Sequence, residues 1–286
     1  MEKYLRETKM LDYSSKNIQR LIQERNWNDI EVFERLKSIY NFVRDEILFG
    51  YNIDDNISAS KVLADGYGQC NTKGTLFMAL LRACNIPCRV HGFTIDKKLQ
   101  KGAMTGIVYK NAPQNVFHSW VEVNFEDKWY ELEAFILDME YLRKLQRKNS
   151  HCTGAFCGYG VAVKDFKNPI IDFDRNNTYI QSEGINQDFG VYDSPDDLLK
   201  EHHQEMSVIK VFLYRNFMFN EEMLYMKKSI SRIIGVIMLI VAIAFIIFAL
   251  NHPEKSFLWS NRITWLLYGV YFLVTIVLLI APKMKK

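Results

Sequence analysis

The first residues, Met1 to Glu7, hold no apolar run ahead of the first charges, so no secretory signal peptide is read there. Charge of one sign is not in excess: 36 Lys and Arg against 33 Asp and Glu leave +3. With no clustered basic face either, there is no electrostatic footprint for nucleic acid. Cysteine is scarce and odd in number, and five thiols (Cys70, Cys84, Cys88, Cys152, Cys157) cannot all close into intrachain disulfides, which favours a reducing compartment. Neither Cys84-x3-Cys88 nor His151-Cys152-x4-Cys157 has the spacing of a zinc finger or ribbon, so no metal site is read. Internal repeats and low-complexity tracts are missing as well. Apolar residues are not missing: 49% of the chain is hydrophobic and 14% aromatic, which excludes disorder and supplies a core.

Those apolar residues pile up at the end. Ile233–Leu250 and Ile263–Ala281 are runs of 18 and 19 residues without a charge. A core helix keeps a polar stripe and the first run has none, so both are read as membrane spans, a C-terminal hairpin in contact with the lipid bilayer. Lys227, Lys228 and Arg232 flank the first, and Lys283, Lys285 and Lys286 follow the second, whereas the loop between holds only Lys255 and Arg262 beside Glu254. The positive-inside rule then puts both termini and the folded part in the cytoplasm, with the hairpin in the cell membrane.

Ahead of the spans, apolar residues at three- and four-residue steps predict an amphipathic helix over 29–48, capped by Asn28 with Glu31 and ended by Gly50; a more charged one covers Ser15 to Glu24. A further helix starts at about Cys70, with Leu76, Phe77, Leu80, Leu81 and Cys84 on one face. Ile86-Pro87 forces extended backbone into a strand over Cys88–Thr94, and Val116–Phe125 and Trp129–Ala134 form a hairpin. The class is α+β, helices first and an antiparallel sheet after. Four regions follow: an N-terminal helical part over 1–58, a core over 59–138, an extension over 139–228 whose fold the pattern does not resolve, and the hairpin over 229–286. Within the extension, Ser194-Pro195-Asp196-Asp197 opens a helix expected to run from Asp197 to about Tyr225.

A cysteine at a helix start, behind the glycines Gly66 and Gly68, is where a thiolate is favoured, because unpaired N–H groups and about half a positive charge face it. Alone, such a residue is more often ordinary core. Cys70 gains weight from His118-Ser119-Trp120-Val121-Glu122-Val123 and Trp129-Tyr130-Glu131-Leu132-Glu133 downstream. Together with Leu80-Leu81-Arg82-Ala83-Cys84-Asn85-Ile86-Pro87-Cys88-Arg89-Val90, these motifs resemble the transglutaminase-like superfamily of papain-related cysteine enzymes. The likeness runs from about Asp29 to Asp138. It implies a papain-like α+β core with a cysteine at a helix start, a histidine in a strand and an aspartate in the next. This chain departs from the pattern at Glu133, where the family has aspartate most often. A turn on Glu126-Asp127 would set Glu131 opposite Glu122, Glu133 opposite Trp120 and Phe135 opposite His118, leaving Glu133 diagonal to His118 and Glu131 one pair too far.

The resemblance assigns Cys70 as nucleophile, His118 as acid and base, and Glu133 as the group that orients the ring. The Cys70 backbone N–H supplies one oxyanion donor; Gln69 and Tyr67 are candidates for a second, and they read equally well as turn residues leading into the helix. Trp120 and Trp129 wall the cleft or pack beneath it. Cys84 and Cys88 are core, Glu122 is a structural partner, and His202 and His203 lie on a solvated helix face. The expected activity is acyl transfer from a protein or peptide amide through a thioester to water or an amine. It needs no metal or organic cofactor, although some members of the family use calcium. The competing reading is a catalytically silent, membrane-tethered scaffold, which the exchange of aspartate for Glu133 would suit. Two spans without an intramembrane charge offer no ion path, which excludes a channel.

Overall fold

Helix α1 (Lys16–Glu24) follows Ser15 and buries Ile18 and Ile22. Helix α2 (Val32–Asp45) is shorter at both ends than the apolar spacing predicts. At its start Trp27–Asp29 makes a 3-10 turn and Ile30 is extended, so Glu31 is the cap: its carboxylate accepts from the Phe33 N–H at 2.8 Å, and Asn28 takes no part. At its end the chain leaves for Leu48–Phe49 (β1), which pairs in parallel with Tyr67–Gly68 (β2) on the far side of helix α3 (Ala59–Asp65). The computed structural model to which these elements belong describes residues 1–50, 52, 54–102, 109–110, 112–202, 236–243 and 268–275, in two units, Met1–Asn216 and Phe217–Lys286.

Helix α4 (Cys70–Ala83) is the centre of the first unit, since every residue from Asn71 to Arg82 is buried. Two of these are cations, and a buried cation is tolerable only with its donors filled. Lys73 Nζ donates to the carbonyls of Arg44, Ile47 and Ile136 at 3.2, 2.7 and 3.0 Å, using all three ammonium hydrogens. Burial pushes its pKa down to about 7, against the opposing charges of Asp138 and Asp45. Arg82 donates to the carbonyls of Arg6, Cys88 and Asp193, fastening the N-terminal segment and residue 193 to the helix.

Four antiparallel strands follow in the spatial order β5-β4-β3-β8: β3 (Cys88–Asp96), β4 (Asn115–Phe125), β5 (Lys128–Leu132) and β8 (Ile185–Tyr192). The last comes from the stretch the sequence leaves unread, which also holds helix α5 (Met139–Lys148) and the short hairpin of β6 (Phe156–Gly158) and β7 (Val161–Val163). Glu126 and Asp127 turn β4 into β5 with φ of 51° and 60°. Two left-handed residues match the twist of the strands and fix an even register, with Glu122 opposite Glu131 and Val121 opposite Leu132. There the pairing ends, two residues short of the expected strand. Leu132 bridges to Thr178, the Glu133 N–H donates to the Thr178 carbonyl at 3.0 Å, and Glu133 turns to φ −117°, ψ −34°. Glu133 and Phe135 are therefore not ladder partners of Trp120 and His118.

Helix α6 (Pro195–Glu201) begins as expected, with the Ser194 hydroxyl accepting from the Asp197 N–H at 3.2 Å. It stops at Glu201 because His202 is extended, and residues from 203 to Tyr225, over which it was expected to continue, lie outside the described residues. Leu198 packs onto Gly92 of β3, where a Cβ would stand 2.4 Å from its methyl. In the second unit, residues 236–243 and 268–275 are helical, and the Tyr271 hydroxyl donates to the Met238 carbonyl at 2.8 Å. Among the described residues no helix is long and apolar enough to cross a membrane; the rest of the two expected spans lies outside them.

Candidate active site

Cys70 is the first residue of α4, and the turn before it is held by polar contacts. The Gln69 N–H donates to Thr72 Oγ1 at 3.0 Å, and that hydroxyl donates to Asn52 Oδ1 at 2.6 Å. A Cβ on Gly68 would come within 2.6 Å of Thr72 Oγ1, so the capping hydroxyl needs the glycine. The first intrahelical bond runs from the Lys73 N–H to the Gln69 carbonyl at 2.8 Å; the amides of residues 70–72 precede it and lend the thiol the positive end of the helix. Cys70 itself is partly buried.

β4 outruns β5, so among the described residues no strand pairs with 115–120 on that side, and His118 sits in this stretch with none of its surface exposed. Its Nε2 meets Glu133 Oε1 at 2.8 Å. The other carboxylate oxygen accepts from the N–H groups of Ile180 and Gln181, both at 2.8 Å. Three bonds thus hold a carboxylate that is itself wholly buried. The turn out of β5 brings Glu133 onto the ring although the strand ladder no longer reaches it. Among the described residues Nδ1 is buried without a hydrogen-bond partner, which leaves it as the nitrogen for Cys70. Burial opposes the imidazolium, but the charge of the neighbouring Cys70 sulfur and then Glu133 outweigh it and raise the His118 pKa to about 10. Phe93, the cross-strand neighbour, sets its ring edge-on at 4.8 Å.

The other residues singled out from sequence are distributed around this group. Gln69 binds through its side chain, accepting from the Asn52 N–H at 2.6 Å and donating to Asp55 at 2.8 Å. Tyr67 pairs with Leu48 in β2, and its carbonyl accepts from Asn52 Nδ2 at 3.3 Å. Trp120 packs among Phe93, His91 and Tyr179 with ring centroids 4.6, 5.0 and 5.8 Å away, its Nε1 buried and without a partner among the described residues. Glu131 takes the Tyr179 hydroxyl. Glu122 binds Arg89 and His91 at 2.6 and 2.9 Å. Cys84 and Cys88 are buried, and burial pushes both thiols up to about 11. His202 departs from expectation: it lies just past the end of α6, stacked on Phe189 at 4.0 Å and bonded to the Tyr192 hydroxyl at 3.0 Å; His203 lies outside the described residues. No group of three or more His, Cys, Asp or Glu among the described residues could hold a metal ion. Sequence reasoning missed Ile180 and Gln181, which contribute only backbone N–H groups and so carry no side-chain signal.

No curated protein matches this chain. Among solved structures, a candidate cysteine protease from Cytophaga hutchinsonii is 20% identical over 47% of this chain and 42% of its own, with a TM-score of 0.36. A candidate protease from Parabacteroides distasonis is 15% identical over 43% of this chain and 24% of its own, with a TM-score of 0.30. Red sea bream transglutaminase is 18% identical over 46% and 26%, with a TM-score of 0.26. This chain spans less than half the length of each of them. Residues 19–134 match the family model of the transglutaminase-like superfamily, and the part of the chain that brings Cys70, His118 and Glu133 together is a transglutaminase-like superfamily domain.

Proposed function

We propose that this domain is a cysteine enzyme that transfers the acyl group of a protein or peptide amide through a thioester, anchored to a membrane by the apolar runs Ile233–Leu250 and Ile263–Ala281. The Cys70 thiolate attacks the carbonyl carbon, and the oxyanion that forms is met by the Cys70 backbone N–H, with the Gln69 amide as second donor. The His118 imidazolium gives its proton to the departing amine, which leaves as the thioester forms. Neutral His118 then takes a proton from water or from an incoming amine, and the second tetrahedral intermediate releases the acyl product and restores the pair. Glu133 keeps the ring oriented and favours its charged form throughout.

The observation that carries this reading is the buried His118–Glu133 contact of 2.8 Å, with Nδ1 left unpartnered and the Cys70 thiol acting on the same ring. A histidine so placed is charged at neutral pH and stabilises a thiolate beside it. A thiol-directed acyl probe applied at about pH 6 should label Cys70, which stands at a helix start beside a charged histidine, and leave Cys84 and Cys88 untouched, since burial raises both of those thiols. Folded protein whose Cys70 stays unlabelled, with no change on His118→Ala, would be a scaffold. For the orientation, an impermeant label on intact cells should modify Ser256→Cys and spare Arg20→Cys. The opposite pattern reverses the topology.

A further inference from the structure

Asp55 lies in the polar loop before α3 and has no role in the chemistry described so far. Its Oδ1 accepts from Gln69 Nε2 at 2.8 Å. The orientation of that amide is forced, because Oε1 takes the Asn52 backbone N–H at 2.6 Å and only the nitrogen can face a carboxylate. Asp55, Asn71 and Ser119 line one small cavity, and Asn71 Oδ1 accepts from Ser119 Oγ at 2.8 Å, which leaves the Asn71 Nδ2–H as the donor to Asp55. The three residues are neighbours in sequence of the reacting groups: Gln69 precedes Cys70, Asn71 follows it, and Ser119 follows His118. Asn71 and Ser119 are 8% and 3% exposed, so both bonds lie where water does not compete with them.

We propose that Asp55 is a positioning residue for the Cys70 centre: its carboxylate clamps the residues on both sides of the nucleophile and, through Asn71 and Ser119, ties the start of α4 to β4 beside His118. The chain Asn52–Gln69–Asp55–Asn71–Ser119 then runs alongside Cys70–His118–Glu133 and holds the sulfur in register with Nδ1. It also leaves one Nε2–H of Gln69 uncommitted to Asp55, available to an oxyanion. Burial is the largest influence on the Asp55 pKa and leaves it raised, although the Gln69 and Asn71 side chains and, least of all, the charge on His118 work against it. Where Asp55 is ionised, its charge and the charge on His118 favour each other.

The proposal rests on the enzyme reading, and the test separates the two. Asp55→Asn keeps an acceptor for one neighbour but turns a donor toward the other, so the clamp fails on one side while the volume stays. Two quantities are measured on the full chain: the pH dependence of Cys70 alkylation by iodoacetamide, and the titration of the His118 ring by NMR. Hydrogen bonds to a charged group are worth enough that alkylation at about pH 6 should slow by roughly tenfold, with His118 losing its proton at lower pH than in the wild type. Ser119→Ala, which cuts only the last link, should give a smaller change of the same sign, and Asp55→Glu a partial recovery. Wild-type Cys70 reacting as an ordinary thiol would sink the enzyme reading, yet the His118 titration would still decide the role of Asp55. An unshifted His118 titration in folded Asp55→Asn overturns the proposal, as does a loss that follows the melting temperature with no change in either pH profile.

Discussion

His118 and His91 stand on one face of the same sheet, on adjacent strands, and each is bonded to a glutamate. Their surroundings set them apart. His91 gives Nδ1 to Glu122 at 2.9 Å and Nε2 to Asp188 at 2.8 Å, and Glu122 also holds Arg89. Burial lowers the His91 pKa, but the bonds from the two carboxylates prevail and raise it. With both nitrogens committed, this ring is a fixed cation that ties β3 to β4 and to the edge strand β8. His118 has one nitrogen on Glu133 and the other unpartnered, with a thiol acting on the ring. A histidine paired with a carboxylate is common structural cement. The spare nitrogen facing a nucleophile is what permits proton transfer.

The largest effects should come from removing that difference. His118→Ala should lower turnover by roughly 10²–10⁴, the usual range for a general acid and base, and slow Cys70 alkylation. Glu133→Gln should cost on the order of 10² in turnover, because it presents a donor or a neutral oxygen to a ring and two backbone N–H groups that all require a carboxylate. Glu133→Asp restores the residue most usual in the family but shortens the reach. Held by Ile180 and Gln181 at its far oxygen, the shorter side chain should lose the 2.8 Å contact with Nε2, leaving activity between those of Glu133→Gln and the wild type. Full activity in Glu133→Gln, measured by steady-state turnover on a peptide amide, would make the two histidines equivalent and remove Glu133 from the mechanism.

His91→Ala should do the reverse. Turnover at saturating substrate should stay within about twofold, while stability falls by about 1–3 kcal/mol, the loss expected when charged hydrogen bonds leave a largely buried glutamate short of a partner. The sign of the pH dependence follows from the raised pKa of His91. Its contribution is complete below the ordinary histidine value of 6.5 and disappears as pH rises through the folded value. His118, also raised, behaves in the same way up to about 10. Melting temperature should therefore decline in the wild type from pH 6.5 upward. The His91 part of that decline should vanish in His91→Ala and the His118 part remain. A His91→Ala protein with unchanged melting curves at every pH would show that the network contributes nothing to stability.

Much of this site was legible in the sequence because it rests on local rules. Cys70 at a helix start, Ile86-Pro87 forcing extended backbone after that helix, and a two-residue turn setting the register of β4 and β5 all follow from near neighbours. What the sequence did not disclose depends on remote chain. Glu133 leaves its strand because Thr178 competes for its backbone N–H, and its carboxylate is held by residues 180 and 181, from a stretch rich in Asn, Asp and Gly with no periodicity. β8 is similarly hidden: its pairing with β3 shifts register twice, so no strict alternation marks it. The early end of α6 reflects His202 finding Phe189 and Tyr192, a tertiary contact that helix propensity cannot anticipate.

The smallest expected effect lies in the turn that serves both histidines. β4 carries His118 and Glu122, β5 leads to Glu133, and the register between them depends on Glu126 and Asp127, each held at positive φ. An L-residue pays for that conformation and glycine does not, so Asp127→Gly should raise stability by about 0.5 kcal/mol, less than the left-handed penalty alone because glycine also gains freedom in the unfolded chain. Since the even register is kept, the Nε2–Glu133 bond and the His91–Glu122 bond should both persist. Turnover and the two histidine titrations should then match the wild type while the melting temperature rises by about 1–2 °C. A changed His118 titration with an unchanged His91 titration would mean that Glu133, beyond the end of the ladder, depends on the turn more finely than Glu122 does within it, and that the catalytic pair is set by strand register after all rather than by Thr178, Ile180 and Gln181.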